Sequence, residues 1–114
     1  MSGLRWNANK TPLEWLPVEA LTEVAGVMHF SATNIRKDGT TCEGRKVYPA
    51  DNWRQGLSWR ATVGSLLRHA FARLRGETHD PESGLPHIDH IGCNWMFYSH
   101  MMRTNTFTPG KDEE

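Results

Sequence analysis

Cysteine is scarce in this chain: Cys42 and Cys93 are the only two in 114 residues, and no CxxC pair occurs. That scarcity excludes a disulfide framework and a zinc ribbon, and it predicts reduced thiols. Net charge is missing too, with 13 Lys and Arg against 13 Asp and Glu. No bulk field therefore draws the chain to nucleic acid or to a membrane surface. Long apolar runs are also absent, and nothing approaches the ~18 apolar residues that a membrane span needs. Residues 1–12 carry Arg5, Asn7, Asn9 and Lys10 with no apolar stretch, so no signal peptide is expected. These absences together predict a cytoplasmic protein with no membrane partner.

What is present suits a single domain over 1–114, with a core over about 13–103 and a polar tail over 104–114. A chain of this length buries roughly two thirds of its unfolded surface. The pattern predicts an all-α fold, a small three- to four-helix domain with a long loop between the first and second helices. The first helix starts near Pro17, a good first-turn residue, and runs to about Asn34. Leu21, Ala25, Met28, Ala32 and Ile35 give it one apolar stripe. Residues 36–51 are polar and broken by two glycines and a proline. They read as loop, with Asp38-Gly39 as the best tight-turn signal.

The second helix is expected from an N-cap at Ser58 to a closing glycine at Gly76. Trp59, Val63, Leu66, Leu67, Ala70, Phe71 and Leu74 supply strong amphipathic spacing. Residues 77–85 form a turn, started by Asp80-Pro81 and broken by Ser83-Gly84. The third helix runs from near Pro86 to about Met102. Ile88, Ile91, Trp95, Tyr98 and Met102 make its expected buried stripe, and His87, His90, Asn94 and Met101 make a second stripe beside it.

Chemistry concentrates between His69 and Asn94. Four of the six histidines and four carboxylates fall within these 26 residues. Histidine and carboxylate are the common ligands of divalent metals and the common general acids and bases. His87 and His90, at i and i+3 of a helix, present two imidazoles to one point. Asp80 lies in the turn feeding that helix. These three are the expected ligands of a divalent ion (Mg, Mn, Co or Zn), with His69 or Glu77 completing the shell and the other acting as general base. Structural readings stand beside these: Asp80 as a cap before Pro81, His69 as a core histidine, Glu77 as a solvated turn residue. Glu19 and Glu23 are one turn apart on the first helix, where an exposed acidic face explains them as well as metal binding does.

Basic residues cluster elsewhere. From Arg36 to Arg75 there are nine Lys or Arg against three acids, which suits an anionic ligand or a solvated helix face. Arg60, Arg68 and Arg75 on the second helix are candidate phosphate clamps because guanidinium binds phosphate bidentately. Trp53, in a polar loop beside Asn52 and Arg54, is a candidate base-stacking residue.

Three segments carry a family likeness: Asp51-Asn52-Trp53-Arg54-Gln55-Gly56, then Leu67-Arg68-His69-Ala70, then Gly76-Glu77-x-x-Asp80-Pro-Glu-Ser-Gly-Leu-Pro-His87-x-x-His90 with Asn94 following. The chain resembles the phage dATP/dGTP diphosphohydrolase N-terminal domain family over about residues 13–103. The resemblance implies a small helical protein of phage or prophage origin, working on purine deoxynucleotides in a host cytoplasm. It also implies Asn52, Trp53, His69, Glu77, Asp80, His87 and His90 as site residues. Two departures stand out: Ser31 replaces the usual first glycine of Phe-Gly-Ala, and an insertion follows Asn34-Ile35.

The leading expectation is a metal-dependent hydrolase of purine deoxynucleoside triphosphates, with Glu77 and His69 catalytic and Asn52, Trp53, Arg54, Arg60 and Arg68 binding substrate. Alternatives are a protein that captures a nucleotide or nucleotide signal without turnover, and a structural or regulatory partner. Three helices bury a core poorly at this length, so a homodimer or higher oligomer is expected.

Overall fold

The computed structural model describes residues 10–108. Three helices carry the fold: α1 (Val18–Thr33), α2 (Trp59–Leu74) and α3 (His87–Thr104). Short 3-10 turns cover Leu13–Trp15 and Asn52–Gln55, and no strand occurs among the described residues. The all-α class and the long gap between the first two helices are as the sequence predicts.

The ends of the helices follow from local chemistry. The Ser58 hydroxyl accepts the Ala61 N–H at 3.2 Å, capping the start of α2. At its other end Gly76 takes φ +97°, a conformation open to glycine but strained for other residues. Glu77 N–H then bonds back to the Ala72 carbonyl, and Gly76 N–H to that of Arg73. This paired closure fixes where Glu77 emerges. Asn34 and Asn105 close α1 and α3 in the left-handed conformation, which asparagine tolerates better than most side chains.

α3 lies in the middle and packs against both α2 and α1. Contacts of His69 with His87, of Ser65 with Asn94 and of Leu57 with Met101 show that α2 and α3 run antiparallel. The core joins Val27 and Phe30 of α1, Cys42 of the long loop, Leu85 of the turn and Cys93 of α3. The long loop is tied down. Ile35 and Thr41 bridge across the Asp38-Gly39 turn, and the Arg36 Nε–H donates to the Glu82 carbonyl at 2.9 Å.

The apolar stripes are only partly buried where their spacing placed them. On α3, Ile88, Trp95 and Met102 are exposed, whereas His87 and Met101 are buried. On α2, Leu67, Phe71 and Leu74 are exposed and Thr62 and Ala72 are buried. On α1, Val27 and Phe30 are buried while Leu21 is not, and Ile35, expected to continue that stripe, lies exposed beyond the end of the helix. Of the stripe expected to be buried on α3, Ile88, Trp95 and Met102 thus face outward, while Ile91 and Tyr98 are half-buried. Its polar neighbour faces inward because its polar atoms find partners there, which removes most of the penalty of burying them.

Candidate functional site

Two features adjoin along α3. One is a cluster of histidines between α2 and α3; the other is a cavity between α1, the long loop and α3. The turn from Glu77 to Leu85 builds the wall of the cluster. Asp80 N–H bonds to the Leu85 carbonyl at 2.8 Å, Gly84 N–H to that of Asp80 at 2.7 Å, and His87 N–H to that of Thr78 at 2.9 Å. The Asp80 carboxylate also accepts the Ser83 N–H at 3.2 Å. Asp80 therefore performs the capping role, and it also stands 3.6 Å from His90 Nε2. Burial alone would raise its pKa; hydrogen bonds from Ser83 and the nearby His90 hold it below the ordinary carboxylate value.

Three residues form a continuous hydrogen-bonded run. Glu77 Oε1 lies 2.6 Å from His87 Nε2, and His87 Nδ1 lies 2.8 Å from His69 Nδ1. An ionised carboxylate only accepts, so His87 Nε2 carries a hydrogen. In neutral His87 the Nδ1 lone pair then accepts the Nδ1–H of His69. His69 Nε2 is left as a bare lone pair. Burial lowers the pKa of His69, which keeps that lone pair available at neutral pH.

His90 stacks on His69, with ring centroids 4.3 Å apart and planes within 9°. Its Nε2 lies 2.7 Å from the Ser83 hydroxyl. Burial, followed by the neighbouring His69, pushes its pKa down to about 4. Ser83 is 1 % exposed, and its hydroxyl also accepts the Leu85 N–H at 3.1 Å.

The three expected metal ligands therefore have other partners. His87 is engaged at both nitrogens, His90 Nε2 faces Ser83 and Asp80, and the parallel His69 and His90 rings direct their lone pairs in separate planes. Among the described residues, no three His, Cys, Asp or Glu side chains are grouped to hold a metal ion. The donor set as placed suits proton sharing and does not fit a chain-held metal centre.

The cavity has a volume of ≈ 320 Å³. Phe30, Trp53 and Phe97 give it aromatic walls, and Arg45, Asn52 and His90 add polar groups. His90 is thus shared by the cavity and the cluster. Trp53 is already engaged: Phe97 stacks at 5.6 Å, His100 meets it edge-on at 4.8 Å, and the Arg54 guanidinium lies 4.5 Å from the ring centre. A base stacking on its face would have to displace one of these neighbours. Arg60 lies over Trp59 instead, and Arg68 is exposed on α2; neither lines the cavity.

Arg45 and Ser83 carry roles that sequence reasoning missed. The Arg45 Nε–H donates to Glu82 at 3.2 Å, a terminal N–H donates to the Asn34 side-chain oxygen at 2.9 Å, and the guanidinium sits 5.0 Å from the centre of the Phe30 ring. It lies in an irregular loop, where no periodicity marks it. Ser83 could have been found only as one of two hydroxyls, with Thr78, in the turn that carries His79 and Asp80.

A family model described as dATP/dGTP diphosphohydrolase, N-terminal, matches residues 1–111. A dATP/dGTP diphosphohydrolase of Salmonella phage PMBT28 is 28% identical over 97 residues, which cover 85% of this chain and 29% of that protein. The chain therefore spans less than a third of the length of the relative it matches. No solved structure matches.

Proposed function

The chain belongs to the dATP/dGTP diphosphohydrolase N-terminal family, and on that premise we propose that it binds a purine deoxynucleoside triphosphate and hydrolyses one of its phosphoanhydride bonds. The observation that carries this reading is the run Glu77–His87–His69, set beside a cavity that shares His90 with the cluster. The base occupies the aromatic part of the cavity, with the Asn52 amide offered to its edge. The phosphates extend past His90 toward the relay.

His69 Nε2 takes a proton from the attacking water as the water oxygen bonds to phosphorus and the bridging oxygen leaves with the bonding electrons. His87 and the Glu77 carboxylate hold the His69 tautomer and stabilise the positive charge it gains, as general-base catalysis requires. Arg45 exchanges the Glu82 carboxylate for phosphate oxygens. This assigns to Arg45 the role expected of Arg60 and Arg68. A divalent ion belongs to the reading as the counter-ion carried in on the triphosphate, where it supplies charge neutralisation.

Capture without turnover is the second reading. The aromatic walls of the cavity and the Arg45 guanidinium beside them support it, because they suit holding a nucleotide whether or not it is cleaved. The test is a turnover screen. The protein is incubated with each deoxy- and ribonucleoside triphosphate and magnesium, manganese or cobalt, and products are separated by ion exchange. Release of a monophosphate or diphosphate from dATP or dGTP supports hydrolysis and identifies the bond cleaved. Calorimetric binding of those nucleotides with no product selects capture, and neither binding nor product overturns both readings.

A further inference from the structure

Two exposed apolar surfaces of opposite charge lie on this one chain. The first is the segment leading into α1: Leu13, Trp15, Leu16, Val18 and Leu21 are all exposed, with Trp15 at 78 %. Its charged residues are acidic, Glu14 and Glu19. The second is the outward side of α2, where Leu67, Phe71 and Leu74 are exposed, Leu74 at 82 %. Arg68 and Arg75 follow this stripe one position on, a spacing of seven that puts both on the same edge. Among the described residues none of Glu14, Glu19, Arg68 and Arg75 forms an ion pair.

A tryptophan and several leucines left in water mark a docking surface more often than a chance exposure, and tryptophan and arginine are the residues that dominate interface energies. We propose that the occupant is a second copy of this chain. The acidic apolar segment 13–21 of one copy covers the basic apolar stripe of α2 in the other, and the reciprocal contact closes a two-fold dimer. Glu14 and Glu19 face Arg68 and Arg75 across each contact. The cavity is lined from the other end of α1, at Val27, Met28 and Phe30, so each copy keeps its own site. This arrangement is independent of the hydrolytic reading.

Sedimentation velocity of the full chain tests it, with circular dichroism as the check on folding. The expected species has twice the 13.0 kDa chain mass and dissociates more readily at high salt. Trp15→Ala should weaken association by about 30-fold or more, the size of a single interface hot spot. Its side chain is exposed, so the fold is not at risk. Arg68→Glu with Arg75→Glu, and separately Glu14→Arg with Glu19→Arg, should each dissociate the dimer. Mixing those two variants should restore a dimer, because every contact is again between opposite charges. A monomer at all concentrations would overturn the proposal and leave the surfaces to another protein or to this chain's own terminal residues. A dimer indifferent to all the variants, or one not restored on mixing, would overturn it equally.

Discussion

The two long faces of α3 differ in a way that reverses the usual allocation. Toward α1 and α2 it turns His87, His90, Cys93, Asn94 and Met101; away from them it turns Ile88, Trp95 and Met102. His87 is 3 % exposed although it is polar, and Met102 is 52 % exposed although it is apolar. The inward face is affordable because its polar atoms are matched: among the described residues no buried side-chain nitrogen or oxygen lacks a hydrogen-bond partner. Apolar area alone does not decide which face goes inside; a polar face that is fully satisfied can displace a more apolar one.

Met101 and Met102 are neighbouring residues of one type that lie on opposite faces of α3. Met101 is 0 % exposed, and it accepts the Leu57 N–H at its sulfur. Met101→Ala should destabilise the fold by about 2–5 kcal/mol, as for buried methionines generally. Met102→Ala should change it by less than about 0.5 kcal/mol in dilute protein. Urea unfolding of the two variants measures both, and equal effects would show that the faces are misassigned.

A smaller effect comes from pH. The folded state holds His90 at about 4 and lowers His69, while the unfolded chain titrates near the ordinary histidine value of 6.5. Between those values the unfolded state binds more protons, so stability is complete above about pH 6.5 and falls as pH drops toward 4. For His90 the loss is on the order of 3 kcal/mol at most. Unfolding measured at pH 7 and pH 4.5 should show it, and His90→Asn should flatten the slope. On the outward face, by contrast, no equivalent dependence is expected from Ile88, Trp95 or Met102, which have no titratable group.

Much of this architecture was legible in the sequence. Ser58 marked the start of α2 and Gly76 its end because each makes a local bond or adopts a local conformation that few residues can. The Glu77–Leu85 turn and the gathering of His69, His87 and His90 followed from antiparallel helices with a short connection. What was not legible is tertiary in origin. Periodicity identifies stripes but not which stripe faces the core, and on α3 the choice rests on partners 7 to 29 residues away in sequence, such as Ser83 for His90 and Ser65 for Asn94. Arg45 reaches the cavity wall from a loop whose path no spacing rule fixes. The i, i+3 histidines were expected to share one ion, yet the stack of His69 on His90 and the bond from His87 to Glu77 divide them.

His69 is the residue on which the proposed chemistry turns. The most direct measurement compares turnover of dATP and dGTP by the unaltered chain and by His69→Ala, with nucleotide binding followed by calorimetry in both. A general base of this kind contributes roughly 10²–10⁴-fold, so kcat should fall by that factor while binding in the cavity is retained. Unchanged turnover in His69→Ala would contradict the role assigned to the Glu77–His87–His69 relay.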